Sequence, residues 1–246
     1  MKANDQKIAI VAGGTGNIGI GIVKSLLDTN YKVLVPYRNQ QKADLLKQYV
    51  NNHENLLLEH IDISDYNNAL LFADTVFEEF TQVDLVVAAV GGWWIGNPLT
   101  QTDINDYERV VSNTLTSHYT IGRALIPKLM TQGSGTYVAI SGPGQVLQIP
   151  QSSLMNILGV ANVSLYNWFA EESKASGANV YQLFISNIAT RERPEYLRES
   201  KDWQTPENVG EKIHEIAMGG RAQFPELIQF SMPVEIKVVK KAVENI

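Results

Sequence analysis

Three glycines, Gly13, Gly16 and Gly19, sit where this chain changes character, in the segment KIAIVAGGTGNIGIGI that runs from Lys7 to Ile22. Before them lies an apolar run from Ile8 to Ala12. After them Ile18, Ile22, Val23, Leu26 and Leu27 recur at helical spacing. Strand, tight turn, helix is the reading, and such a turn binds phosphate for two reasons. Missing Cβ atoms let the backbone approach a pyrophosphate, and the free N–H groups and positive dipole end at the helix start favour anions. The GxxGxxG spacing alone is a weak signal; its place between a strand and a helix makes it specific.

Other residues able to do chemistry are few. Ser141 falls at the end of an apolar run, where its hydroxyl can hydrogen-bond a ligand but is a poor acid at neutral pH. His118 has the right pKa range for proton transfer. His53, His60 and His214 have no ligand spacing, and no metal site is expected. Trp93 and Trp94 follow another apolar run and suit the floor of a pocket, with large area and one donor each. Gln145, Gln148 and Met155 would line the same pocket, making it largely neutral and unsuited to a highly charged substrate.

The elements that must position these groups alternate. Apolar runs at 32–37, 56–61, 84–90, 135–141 and 180–185 read as strands. Helical patterns lie between them, with Ser64 as the expected N-cap of the third, a long fourth over about 104–130 and a long fifth over 152–176. Strict alternation predicts an α/β fold with a parallel, doubly wound sheet that binds ligands at the carboxyl ends of its strands. Thr205-Pro206-Glu207 opens a further helix to about Met218, and Pro233 could start a last one. No composition shift or linker divides the chain, so residues 1–246 read as one Rossmann-type domain, with about 186–246 supplying substrate-side and C-terminal elements.

Bulk composition narrows the partners. The formal net charge is −6, with no Lys/Arg-rich tract, which disfavours nucleic acid and anionic membrane. The absence of cysteine excludes disulfides and thiolate chemistry and suits a reducing compartment. No run approaches the roughly 18 apolar residues of a membrane helix. A cytoplasmic protein without a membrane anchor is expected.

Taken together, these landmarks resemble the short-chain dehydrogenase/reductase family, in order and spacing, to about residue 219. Gly13, Gly16 and Gly19 match the family's glycine turn, with Thr15, Asn17 and Ile18 beside them. Asp62, followed by Ile63, matches the adenine-contacting aspartate after the third strand. Gly91 matches the glycine that ends the fourth-strand motif, although its Asn-Asn-Ala is here Ala88-Ala89-Val90. Asn113 matches the fourth-helix asparagine, and Thr205-Pro206-Glu207-Asn208-Val209 a characteristic helix start. The resemblance implies a nicotinamide dinucleotide held by these residues together with Ala89, and by Ile188 and Thr190 after strand six. It also implies a homodimer or homotetramer formed through the fourth and fifth helices. The fifth carries Leu154, Ile157, Leu158, Val160, Val163, Leu165, Trp168 and Phe169, apolar on more than one face.

Cofactor choice is legible at the end of strand two. An acidic residue there accepts from the ribose hydroxyls of NAD, whereas a basic one favours the 2′-phosphate of NADP. Pro36-Tyr37-Arg38-Asn39 contains no acid, and Arg38 can pair with phosphate, so NADP(H) is expected over NAD(H).

The family's chemistry is where the likeness breaks. Its tyrosine, serine and lysine align with Met155, Gly142 and Gly159, and between Leu129 and Ser173 there is no Lys, Arg or His. A phenol of pKa about 10 needs a neighbouring cation to work near neutrality. His118 sits five residues after Asn113, about 140° around an ideal helix and so off that face. Three functions fit. The first is an NADP(H)-binding regulator, scaffold or pseudoenzyme. The second is an NADP(H)-dependent oxidoreductase acting on a pre-activated substrate such as an iminium or conjugated double bond. The third is a non-redox isomerase, cyclase or lyase using the same cleft.

Overall fold

The computed structural model describes residues 6–142, 151–185, 187–191 and 203–219, together with the backbone of 228–230. One parallel sheet of seven strands runs through it in the order β3-β2-β1-β4-β5-β6-β7. Its strands are β1 (Lys7–Ala12), β2 (Tyr31–Tyr37), β3 (Leu56–His60), β4 (Leu85–Ala88), β5 (Thr136–Ser141), β6 (Asn179–Ile185) and β7 (Ile228–Phe230). The order reverses between β1 and β4, which pair in register from Ala9 with Leu85 to Ala12 with Ala88. A doubly wound sheet opens a crevice at that reversal, beyond the carboxyl ends of its strands.

Helices cover both faces: α1 (Gly19–Asp28), α2 (Gln40–Tyr49), α3 (Tyr66–Glu79), α4 (Ile104–Val111), α5 (Ser117–Gln132), α6 (Ser153–Ser173) and α7 (Pro206–Met218). The central strands are therefore apolar on both sides, and every residue of β4 is buried. One core packs α1 and α7 on the sheet through Ile22, Leu26, Val209 and Ile213. The other packs α3, α5 and α6 through Phe72, Ile121, Leu125 and Phe169. Burying one such side chain stabilises the fold by about 1.5–3 kcal/mol. Helices α1 and α7 approach so closely that a Cβ on Gly21 would lie 2.4 Å from Pro206 Cβ.

Three local features depart from the sequence expectation. Asp65, not Ser64, caps α3, accepting the Asn68 N–H at 2.9 Å, while Ser64 donates its hydroxyl to Asp62. The long fourth helix is interrupted by a wide π-helical turn, Ser112–Thr116, between α4 and α5; the Ser117 hydroxyl reaches back five residues to the Ser112 carbonyl at 2.8 Å. A seventh strand, β7, adds to β6 from Leu183 paired with Ile228 to Ile185 paired with Phe230. The helix expected from Pro233 lies outside the described residues.

A third, smaller cluster sits at the carboxyl edge. Trp94, Val110, Leu154 and Leu158 are buried together, with Val111, Leu115 and Met155 against them. The chain from β4 is tied to the start of α6 by the Gly96 N–H, which donates to the Gln151 carbonyl at 2.8 Å.

Candidate nucleotide-binding cleft

At the strand reversal lies a cleft of about 530 Å³. Of the residues singled out in the sequence, Gly13, Thr15, Gly16, Arg38, Asp62, Ile63, Ala89, Gly91, Trp93, Trp94 and Asn113 line it. The glycine turn forms its base. Gly13 adopts φ +79°, and a Cβ there would lie 2.2 Å from the Ala89 carbonyl oxygen, so only glycine lets the turn rest on the end of β4. No side chain caps the start of α1, and its first turn holds no acidic residue. The helix end is thus left to an anion, which the dipole and free N–H groups favour. The backbone therefore fits a dinucleotide pyrophosphate.

Past that turn the cleft runs to the tips of β2 and β3. Asp62 accepts two bonds from Ser64, one from its amide at 3.0 Å and one from its hydroxyl at 2.6 Å. Partial burial pushes the Asp62 carboxyl up, but the Ser64 bonds and the Arg38 charge outweigh it and hold the group below the usual carboxylate range. Arg38 Nη1 stands 3.4 Å from Asp62 Oδ2, with the two side chains 64% and 40% exposed. A pair so open to water is weak, and the guanidinium can turn to a ligand.

Among the lining residues not anticipated are Lys42, Arg109, Thr114 and Ser117. Asn39 caps α2 by accepting the Lys42 N–H at 3.0 Å, which sets Lys42 in the first helical turn beside the β2 tip. Counting residues from that cap would have found it. Thr114 lies inside the π-helical turn and is buried, whereas neighbouring Asn113 is exposed. Nothing in the residue types marks a π turn. Arg38 and Lys42 bring positive charge to the lining opposite Asp62, while Arg109 is paired with Asp106 at 2.6 Å. Gln145 and Gln148 lie outside the described residues.

The remaining candidates go elsewhere. Ser141 accepts a hydrogen bond from Gln182 Nε2 at 2.7 Å, a bond that orients the hydroxyl without using its proton. Met155 packs into the Trp94 cluster. Ile18 packs its side chain against the α1 core and Gly19 begins that helix, so these positions have backbone N–H groups rather than side chains to offer a ligand. Ile188 is buried against the same core and bridges to Gln204; Thr190 donates its N–H to the Ile188 carbonyl at 3.0 Å. His118 is the clearest correction. It is 2% exposed, shares a hydrogen with the Tyr166 hydroxyl at 2.6 Å, and is pushed down to about 4 by burial. A neutral, enclosed imidazole is no acid for a ligand in the cleft. Among the described residues no cluster of His, Asp or Glu could hold a metal ion, and no helix is long and apolar enough to cross a membrane.

Sheet order, glycine turn and crevice define a dinucleotide-binding α/β protein. Residues 7–182 match the model of the short chain dehydrogenase family, and the chain belongs to that family. An uncharacterized oxidoreductase of Staphylococcus saprophyticus is 22% identical over 188 residues, spanning 75% of this chain and 80% of its own. A Haemophilus influenzae protein named "Probable NADP-dependent dehydrogenase" is 26% identical over 133 residues, 54% of this chain and 52% of its own. Among solved structures, ElxO with NADP bound superposes with TM-score 0.78 at 18% identity, covering 91% of this chain and 95% of its own. NAD⁺-bound xylitol dehydrogenase gives TM-score 0.76 at 14% identity, covering 88% and 94%. At such identities these structures establish the fold.

Proposed function

We propose that this chain is an NADP(H)-binding member of the family whose reacting end has lost the proton-transfer groups, leaving a non-redox regulator, scaffold or pseudoenzyme. The observation that carries the cofactor assignment is the charge at the β2 tip, where Arg38 and Lys42 line the cleft and no acid stands in β2 or at its end. Two cations suit a 2′-phosphate, whereas a ribose diol calls for an acceptor. Names of similar proteins are divided: one is an NADP-dependent dehydrogenase and one was solved with NADP bound, whereas others were solved with NAD⁺ or NADH, so the assignment rests on the charge at the β2 tip.

A bound nicotinamide supplies a hydride donor or acceptor; the protein's own residues do the rest. The glycine turn and the start of α1 would hold the pyrophosphate, Asp62 and Ile63 the adenosine end, and Arg38 with Lys42 would neutralise the 2′-phosphate. For proton transfer the described residues offer little: the Ser141 hydroxyl is a weak acid, His118 is enclosed, and Met155, which the sequence resemblance aligns with the family's phenol, packs among apolar side chains. General acid catalysis is typically worth about 10²–10⁴-fold, so its loss favours a binding role.

A second reading is kept because relatives are named oxidoreductases: hydride transfer to a substrate already activated, which needs no protein acid. Calorimetric titration tests the cofactor, with NADPH expected to bind more tightly than NADH. Screening NADPH oxidation against carbonyl, iminium and enone compounds separates the two roles: turnover of any of them selects the oxidoreductase. We further assign a homodimer or homotetramer to the face carrying Ile104, Tyr107 and Tyr119 with Ile157, Val160 and Trp168 of α6, all at least 45% exposed. A light-scattering mass near 27.3 kDa at micromolar concentration would contradict it.

A further inference from the structure

The tips of β2 and β3 carry an ordered group of side chains beside the cations of the cleft. Tyr37 and His60 are partners in the β2–β3 register, and their rings stack with centroids 5.1 Å apart and planes 22° from parallel. The Tyr37 hydroxyl donates to Gln40 Oε1 at 2.9 Å, and Gln40 Nε2 donates to Asp44 Oδ1 at 2.9 Å. Gln40 and Asp44 stand one turn apart in α2, whose start is set by the Asn39 cap. Tyr37 is thus held twice, its ring by a strand neighbour and its hydroxyl by α2.

These bonds have a direction. A carboxylate only accepts, so Asp44 takes the amide nitrogen of Gln40 and leaves the amide oxygen facing Tyr37. That oxygen also only accepts, so the phenol proton lies on the Gln40 side. The Tyr37 oxygen then has only lone pairs to offer anything else. Tyr37 lines the cleft with Arg38 and Lys42, and its bond to Gln40 is exposed. The β2 tip therefore presents two cations and one fixed neutral acceptor to the same ligand.

The complement is an anion for the cations and a hydroxyl donor for the acceptor, close together on one ligand. A ribose with a 2′-phosphate and a free 3′-hydroxyl has that pattern on adjacent carbons. Phosphate at the 3′ position reverses the pattern and sets an anion against the phenol's lone pairs. We propose that Tyr37 is a specificity-determining residue that accepts from the ribose 3′-hydroxyl of a 2′-phosphorylated adenine nucleotide. His60, Gln40 and Asp44 are the positioning residues behind it. The proposal rests on reading the cleft as a dinucleotide site.

The experiment titrates wild type, Tyr37→Phe and Gln40→Leu calorimetrically with adenosine 5′-monophosphate, its 3′-deoxy analogue, and adenosine 2′,5′- and 3′,5′-bisphosphate. Tyr37→Phe keeps the ring on His60 and removes the acceptor. Wild type should bind the monophosphate about fivefold more tightly than its 3′-deoxy analogue, the size of one neutral hydrogen bond. Tyr37→Phe should bind the two equally. Wild type should also prefer the 2′,5′- to the 3′,5′-bisphosphate, by a ratio that falls in Tyr37→Phe. In Gln40→Leu the phenol proton is released to a phosphate. The 3′-hydroxyl preference should then fall while the 2′,5′-bisphosphate binds no more weakly than to wild type. A wild type that binds NADPH without preferring a 3′-hydroxyl, or a Tyr37→Phe variant that keeps the preference, overturns the proposal alone. If Tyr37→Phe does not fold, an undiminished preference in Gln40→Leu counts against it in the same way. A wild type that binds neither NADPH nor NADH refutes the dinucleotide reading itself.

Discussion

The two ends of the carboxyl edge are built from different materials. At the tips of β1, β2 and β3 the residues are small or charged and face open space: Gly13, Gly16, Arg38, Lys42 and Asp62 surround a cleft. Beyond the β4 tip and at the start of α6 large apolar residues face one another, with Leu154 and Leu158 buried against Trp94, which also borders the cleft, and Met155 against them. One end leaves its hydrogen-bonding capacity for a ligand. At the other, internal bonds orient the polar groups, Gln182 donating to Ser141 and Gly96 to Gln151. Neighbouring parts of one crevice can therefore carry separate jobs, binding at one end and packing at the other.

The strongest way to break that division is at its base. Gly13→Ala forces a side chain into a left-handed conformation and onto the Ala89 oxygen. The two costs together come to about 2–4 kcal/mol, and NADPH affinity should fall by about 100-fold or more. Urea unfolding and fluorescence titration measure both. The counterpart is Leu154→Ala, fully buried in the apolar cluster. It should cost about 2–4 kcal/mol of stability while leaving the NADPH Kd within about twofold of wild type. A large loss of affinity in that variant would mean that the two ends are one unit after all.

The binding end was the more legible in the sequence, for a physical reason. Gly13 and Gly16 announce themselves because their backbone demands no side chain, and Asp62 and Arg38 because they follow strands whose apolar runs end sharply. Alternation of strands and helices was equally plain, since both periods are written in the spacing of Val, Ile and Leu. What stayed hidden depended on partners far along the chain. Nothing near Ser141 says that Gln182 will donate to its oxygen, and nothing near His118 points to Tyr166, 48 residues away. Thr114 was missed because a π turn shifts the helix face by one residue without leaving a mark in composition. β7 was missed because three residues make too short a run to call a strand.

His118 also separates the ends by pH. Its pKa is depressed to about 4 in the folded chain against 6.5 for the ordinary group. The unfolded chain therefore takes up a proton before the folded one does. The stability this histidine contributes is complete above 6.5 and is lost as pH falls towards 4, at up to about 1.4 kcal/mol per pH unit. Between pH 7 and pH 5 the loss should be about 2 kcal/mol, read from urea midpoints, and His118→Gln should flatten the curve. Asp62 acts in a lower window, since its depressed carboxyl contributes above its unfolded pKa of about 3.9 and fails only below that. Affinity for NAD⁺, which lacks the 2′-phosphate monoester that takes up a proton near pH ~6, should consequently hold at pH 5 while stability falls. A parallel decline of both would tie the cleft to the core.

The smallest effect is the most discriminating. Arg38→Ala and Lys42→Ala each remove one cation from the β2 tip, at positions where neither side chain supports the core. Stability should change little, because the Arg38–Asp62 pair is open to water and worth about 0–1 kcal/mol. Each variant should weaken NADPH about tenfold, the size of one charge-assisted phosphate contact of about 1.5 kcal/mol, while NADH stays within about twofold. Raising salt from 0.05 to 0.5 M should narrow the gap between the two cofactors in wild type, since screening acts on exposed charges. Equal weakening of NADPH and NADH would place these cations on the shared pyrophosphate instead, and the preference for NADP(H) would then have no residue to rest on. Loss for NADPH alone fixes the charge at the 2′ position and makes the cleft end, not the apolar end, the part of the molecule that chooses its ligand.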